Sequence, residues 1–252
     1  MSGSGDKTTV QSVDRAIAIL RCFEQGDKLG ITEISRRLGL HKSTVFGLVN
    51  TLTANRLLEK APDSDKYRLG IELFRLGSNA QSSVREIAAP HVKRLMEATG
   101  ETANLVLPDS GYVVYIDKRE SPHSMRICTN VGLRLPMYCT AVGKAILAFM
   151  GEDERCIIVG DMVLTARTEN TITSREELLA QLVKIRSDGY AIDDEELEYG
   201  LICIAMPILS KMGEPIAAIS VSGPKLRMTE EKISEVHAEL TKHSHEISRA
   251  IQ

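Results

Sequence analysis

Apolar side chains recur at helical spacing in two short runs between Ile31 and Leu52, with a glycine between them. In the first run Ile34 and Leu38 stand four apart. Thr32 is placed as its N-cap, Glu33 puts a carboxylate in its first turn, and Gly39 ends it. The second run starts near His41 and Lys42. Its Val45, Leu48, Val49 and Leu52 fall at i, i+3, i+4 and i+7, a single buried stripe. Ser43, Gly47 and Asn50 then lie on the opposite face, flanked by Phe46 and Thr51, and Arg36, Arg37, His41 and Lys42 crowd the N-terminal end. One buried face, one polar face and a cationic start are what docking in a DNA major groove requires. The same pattern also describes a surface helical hairpin with a solvated charged face.

The flanking segments decide between these. Upstream, Ser12 is placed to cap a helix through Glu24 with Val13, Ile17, Leu20 and Phe23 inward and Gly26 closing it. After Ala54 the period drops to two: residues 57–60 and 66–69 flank the turn Ala61-Pro62-Asp63-Ser64-Asp65, a hairpin carrying Lys60, Lys66 and Arg68. Three helices and a hairpin make a winged helix-turn-helix over residues 10–70, behind a disordered Gly/Ser lead-in at 1–9. A helical pattern with Leu73, Phe74, Leu76, Ala80, Val84 and Ile87 follows, stopped by Pro90, which predicts a linker helix over 71–89. Its apolar residues and Phe46 are candidates for self-association.

Residues 90–252 read as an α+β domain. A helix from Pro90 to Thr99 precedes an antiparallel hairpin, TANLVL and YVVYIDKR, around Pro108-Asp109-Ser110-Gly111. Next come a strand near 125–129, a loop through Gly132 to Pro136, and a helix from about Thr140 to Met150. Ser174 and Glu177 form a capping box for a helix ending at Gly189. Strands follow at 190–193, 201–208 and 216–222, and a polar helix closes the chain from Thr229 to Ile251.

Composition narrows the class. Five scattered cysteines (Cys22, Cys128, Cys139, Cys156, Cys203) without a CxxC pair fit free thiols in a reducing compartment. No apolar run reaches 18 residues and the N-terminus has no signal-peptide pattern, so a cytoplasmic location without membrane partners is expected. The first 80 residues hold 12 Lys and Arg against 9 Asp and Glu, the remainder 19 against 25. A basic head on an acidic body suits a chain whose first part alone meets phosphates.

In order along the chain, SVDRAIAILRCF, ITEISRRLGLHKSTV, YRLG, VVYIDKRES, TAVGKAILA, DDEE with GLICIAMPI, and AAISVSGP resemble the IclR family of bacterial transcriptional regulators, from about Val10 to the end. The resemblance implies a winged helix-turn-helix, a linker helix, a GAF-like antiparallel-sheet effector-binding domain, and dimers or tetramers on operator DNA, usually as repressors. It implies no catalytic residue and no cofactor. One departure is Phe46-Gly47, where the family commonly has His-Arg.

For DNA, Lys42, Ser43 and Thr44 at the start of the second hairpin helix and Asn50 further along are the candidate readers, with Arg36, Arg37, Lys66 and Arg68 reaching phosphates. Each cation is otherwise a solvated surface charge. For an effector, Thr140-Ala141-Val142-Gly143 opens a helix with small residues and free N–H groups, a ready anion site. The resemblance implies that a small organic acid's carboxylate sits there beside Asp193, Cys203, Ser220 and Ser222. Ile127, Leu135, Met137 and Leu201 are candidates for its apolar wall. Gly143-Lys144 is not a P-loop, because Tyr138 stands five residues before Gly143 and Ala145 follows the lysine. The bland readings are a buried thiol for Cys203 and structural hydrogen bonds for the two serines. Cys128, Cys139, Cys203, His123 and Asp193 include metal-ligand types but show no ligand spacing, so no metal is expected. His237, His243 and His245 read as surface residues. A cysteine-dependent enzyme lacks an activating histidine motif. A sensing adaptor without DNA binding is the other alternative, motivated by Phe46-Gly47.

Overall fold

The computed structural model describes residues 9–24, 26–62, 64–79, 83–127 and 129–251. Most of the 1–9 lead-in, Asp63 of the wing turn, Ala80 of the linker pattern and Cys128 therefore lie outside the described residues. The chain forms two compact units, residues 1–81 and 82–252.

The first unit contains α1 (Gln11–Arg21), α2 (Ile31–Leu38), α3 (Lys42–Ala54), β1 (Leu58–Lys60), β2 (Tyr67–Leu69) and α4 (Ile71–Asn79). Ile19, Phe23, Ile34, Val45, Val49 and Leu58 close its core. Two cap assignments need correction. Val10, not Ser12, precedes α1. Gly30, not Thr32, precedes α2, because the Glu33 carboxylate reaches back to accept the Gly30 N–H at 2.7 Å and fills the capping role itself. Nor do Val13 and Ile17 point inward: Ile19 and Phe23 form the buried side of α1, leaving Val13 and Ile17 exposed. Gly39 ends α2 in the left-handed region at φ 63°. The wing pairs Leu58 with Leu69 and Lys60 with Tyr67, and Leu29 bridges to Tyr67 as a third edge. At Gly70 an added Cβ would lie 2.1 Å from the Arg56 carbonyl oxygen, so only glycine lets the chain leave the wing for α4.

The second unit holds α5 (Ser83–Thr99), β3 (Thr102–Asp109), β4 (Tyr112–Arg119), β5 (Arg134–Pro136), α6 (Ala141–Phe149), α7 (Glu152–Asp161), α8 (Arg175–Asp188), β6 (Ala191–Asp194), β7 (Leu201–Leu209), β8 (Pro215–Pro224) and α9 (Glu230–Ala250). Its sheet is antiparallel throughout in the order β5-β4-β3-β8-β7-β6. α5 and α9 cover one face; α6 and α8 cover the other. The two-residue period of β8 sets the chemistry of each face. Ile219 and Val221 pack towards α5 and α9, while Ser220 and Ser222 point the other way.

Pro90 does not stop a helix. It sits inside α5, so the 71–89 linker is corrected to α4 and the first part of α5, which belongs to the second unit. The proline removes one intrahelical N–H, but Ala88, Val92 and Leu95, each fully buried against the sheet, hold both sides of it in register. Where a strand was expected near 125–129, residues 125–127 and 129 are irregular chain, and the short strand falls at β5 instead. α7 went unforeseen because Val159 is its only buried residue, which leaves no apolar stripe to read. No described helix is long and apolar enough to cross a membrane.

Candidate DNA-reading face and effector cavity

The N-terminal turn of α3 is open. Lys42, Ser43 and Asn50 are exposed and Thr44 is half-buried, with Val45 and Val49 fully buried beneath them. Lys42 and Arg36 make no ion pair among the described residues. The other candidate cations are engaged. Arg37 donates to the Cys22 carbonyl at 2.9 Å and pairs with Asp27 at 3.1 Å. On the wing Lys66 meets Glu33 at 3.3 Å, Arg68 meets Glu59 at 2.6 Å, and Lys60 meets Asp65 at 2.8 Å. Such exposed pairs are worth little and exchange readily. Phe46 stands 54% exposed. A Cβ on Gly47 would meet nothing within 4 Å, so no neighbour among the described residues explains that glycine.

In the second unit, the start of α6 anchors a cavity of about 270 Å³. Thr140 caps the helix, its Oγ1 accepting the Gly143 N–H at 3.2 Å and donating to the Pro136 carbonyl at 2.9 Å. The Ala141 and Val142 N–H groups keep no partner among the described residues, as the first donors of a helix must unless something caps them. Ile127, Leu135, Thr140, Ala141, Val142, Asp193, Leu201, Cys203, Ser220 and Ser222 all line this cavity. Met137 does not. Its side chain is fully buried, and its backbone lies where a Cβ on Gly143 would go, 2.2 Å from the Met137 Cα. That contact is why position 143 is glycine.

Tyr115, Thr129, Leu133, Arg167, Leu197 and Glu198 complete the lining and were not foreseen. The alternation of Val113 and Tyr115 on β4 carried a signal for Tyr115. Arg167 sits in a loop without periodicity and gave none. It is exposed and makes no ion pair among the described residues, so the cavity carries one free cation near the helix start.

The polar side of the cavity is built by register. Asp193 on β6 faces Cys203 on β7, which faces Ser222 on β8, one row across three strands. Asn104 on β3 reaches Ser220 at 3.4 Å and Ser222 at 3.5 Å and accepts from Thr129 at 2.8 Å. Asp193 is 1% exposed. Its Oδ1 accepts the N–H groups of Glu196 at 2.8 Å and Leu197 at 3.3 Å, while Oδ2 has no partner. Burial outweighs those two donors and pushes the Asp193 carboxyl up to about 7. Behind it Lys144, fully buried, donates to the Ile192 carbonyl at 2.7 Å and to Glu196. Burial also raises the Glu196 carboxyl, against the pull of Lys144. Burial raises the Cys203 thiol far above neutrality and takes Cys139 to about 11, so neither supplies a thiolate near neutral pH.

Comparison with known proteins places both units. Residues 12–62 match the IclR helix-turn-helix domain and residues 78–249 the bacterial transcriptional regulator IclR C-terminal domain. The chain is similar to the HTH-type transcriptional regulator KdgR of Escherichia coli, 37% identical over 242 residues, covering 95% of this chain and 92% of that protein. It is also similar to the transcriptional repressor IclR of the same organism, 32% identical over 246 residues, covering 96% and 90%. An IclR homologue from Microbacterium hydrocarbonoxydans, solved in complex with 4-hydroxybenzoate, shares the fold with a TM-score of 0.82 at 24% identity, covering 95% of this chain and 99% of that one. With the helix-turn-helix domain matched in the first unit and the C-terminal domain in the second, the chain belongs to the IclR family and is a DNA-binding transcriptional regulator rather than an enzyme.

Proposed function

We propose that the chain is an operator-bound repressor of a catabolic operon that is controlled by a small organic acid. The observation that carries this reading is the pairing, in one cavity, of unsatisfied donors and an unsatisfied acceptor: the Ala141 and Val142 N–H groups at the start of α6, and Asp193 Oδ2 across from them. The ligand's carboxylate sits on the helix start, where the dipole and Arg167 favour an anion. A hydroxyl on the ligand meets Asp193, Ser220 or Ser222, and Ile127, Leu135 and Leu201 cover its carbon skeleton. At about 270 Å³ the cavity suits a compact acid, smaller than a drug-sized ligand.

On DNA, Ser43, Thr44 and Asn50 face the base edges of the operator, and Lys42, Arg36, Lys66 and Arg68 hold the backbone. The exposed Val13 and Ile17 of α1 and Ile71, Phe74 and Leu76 of α4 support self-association as a dimer or tetramer, which a two-fold operator needs. The acid acts by favouring one arrangement of the reading heads over another.

A mobility-shift titration on the DNA upstream of the chain's own gene, with and without a panel of small carboxylates, tests this. A shift that one acid weakens supports it; no shift at low salt would favour an adaptor that reads no DNA. A thermal-shift screen of the same acids tests the sensing half separately.

A further inference from the structure

Far along the chain from the cavity residues, α5 and α9 bring three metal-ligating side chains together. His91 Nδ1 lies 3.0 Å from His243 Nδ1, and Glu246 Oε2 lies 3.5 Å from the first and 3.7 Å from the second. The sequence placed His243 on the surface; it is in fact 2% exposed, pressed against α5 with its ring at 76° to that of His91. Among the described residues this is the one group of three or more such side chains whose ligand atoms all fall within 4.8 Å of each other.

The triangle of 3.0, 3.5 and 3.7 Å has a circumcentre about 2.0 Å from each corner, and zinc takes imidazole nitrogen at about 2.0–2.1 Å and carboxylate oxygen at about 2.0–2.2 Å. The three atoms are therefore already spaced as ligands, with no side chain needing to move far. The protonation pattern agrees. Two Nδ1 atoms 3.0 Å apart cannot both carry hydrogen, so at least one of them turns a bare lone pair towards the other and the nearby Glu246 carboxylate. Burial disfavours the imidazolium form of both rings; Arg94 opposes it further at His91, the His91 ring and Lys242 oppose it at His243, and Glu246 pulls the other way at both. Neutral imidazoles are the form that binds metal. His243 and Glu246 stand three apart on α9 and so share a face. Glu239, one turn earlier, holds Oε2 3.6 Å from His243 Nε2. That is longer than a hydrogen bond as placed, on the side where a second carboxylate orients a ligating histidine.

We propose that His91, His243 and Glu246 form a binding site for Zn²⁺ or a zinc-like divalent cation, with a water completing the coordination on the half-exposed Glu246 side. The metal clamps α5 to α9.

The test uses the full chain, stripped with a chelator and titrated with Zn²⁺ and with Co²⁺ as a spectroscopic stand-in. The expected result is one equivalent bound, a four-coordinate cobalt spectrum without a thiolate charge-transfer band, and a higher melting temperature with metal. Glu246→Gln, at an accessible position, should melt like the stripped wild type and bind Zn²⁺ at least about tenfold more weakly. His91→Gln serves as a second variant read in the same way. Absence of a metal-induced melting shift in the wild type overturns the site. So does a thiolate band, or binding equally tight in Glu246→Gln.

Discussion

Asp193 makes the stability of the second unit fall as pH rises, against the behaviour of most carboxylates in folded proteins. Its ordinary value near 3.8 is raised by burial to about 7. Each pKa unit corresponds to about 1.4 kcal/mol, so the difference of roughly three units is worth about 4 kcal/mol. The unfolded chain releases this proton near pH 4 and the folded chain holds it to about pH 7. Between those values the native state binds more protons, and stability declines with pH. The contribution is whole below about pH 4 and gone above about pH 7. Glu196, also raised, adds to the slope; Lys144 beside it opposes it; Tyr115, Cys139 and Cys203 stay neutral through this range. Asp193→Asn keeps the Oδ1 acceptor for the Glu196 and Leu197 N–H groups and removes the titration. Its amide, placed where Oδ2 has no partner, costs about 1–3 kcal/mol. The variant should therefore be less stable than wild type at pH 4.5 and more stable at pH 8 by about 1–3 kcal/mol, so the two curves cross. Urea unfolding followed by far-ultraviolet circular dichroism at stepped pH measures this, since the chain has no tryptophan. Parallel curves with no crossing would refute the assignment.

Three further outcomes follow from the geometry. Lys144→Met leaves Glu196 buried without its cation and should cost about 3–5 kcal/mol in a urea midpoint, most of it recovered when Glu196 is made apolar as well. Gly143→Ala sets a methyl against the Met137 backbone and should lower stability by about 1–3 kcal/mol or more, with loss of acid response in thermal shift. Lys42→Ala should reduce the slope of log affinity against log salt by about 0.9 in a DNA titration, whereas Arg37→Ala, which loses a brace between α1 and α2, should leave that slope unchanged and lower the melting temperature.

Elements with a clear apolar pattern were legible in the sequence: α3 and the wing set apolar against polar positions, β8 alternates Ile219 and Val221 with Ser220 and Ser222, and β7 is a continuous apolar run. Register then brought most of the named cavity residues to one place, because alternation on β8 fixes which side Ser220 and Ser222 take. What escaped lacked a local signature. Arg167 is in irregular chain, α7 buries a single side chain, and the His91–His243 contact joins residues 152 apart in sequence. Pro90 misled for a different reason: a proline's local penalty was outweighed by the packing of Ala88, Val92 and Leu95. Caps failed similarly, since Glu33 reaching back to Gly30 is invisible to a rule that looks for a hydroxyl or amide at the cap position.

The wing's three cations each come with a carboxylate already in hand. At long range the hairpin presents almost no field, so random stretches of chromosome gain little from it. On the proposed reading, those side chains add to the grip only where α3 has seated and phosphates replace Glu33, Glu59 and Asp65, which makes the wing a latch set after reading rather than a lure before it and limits time lost on the many wrong sites that compete with an operator.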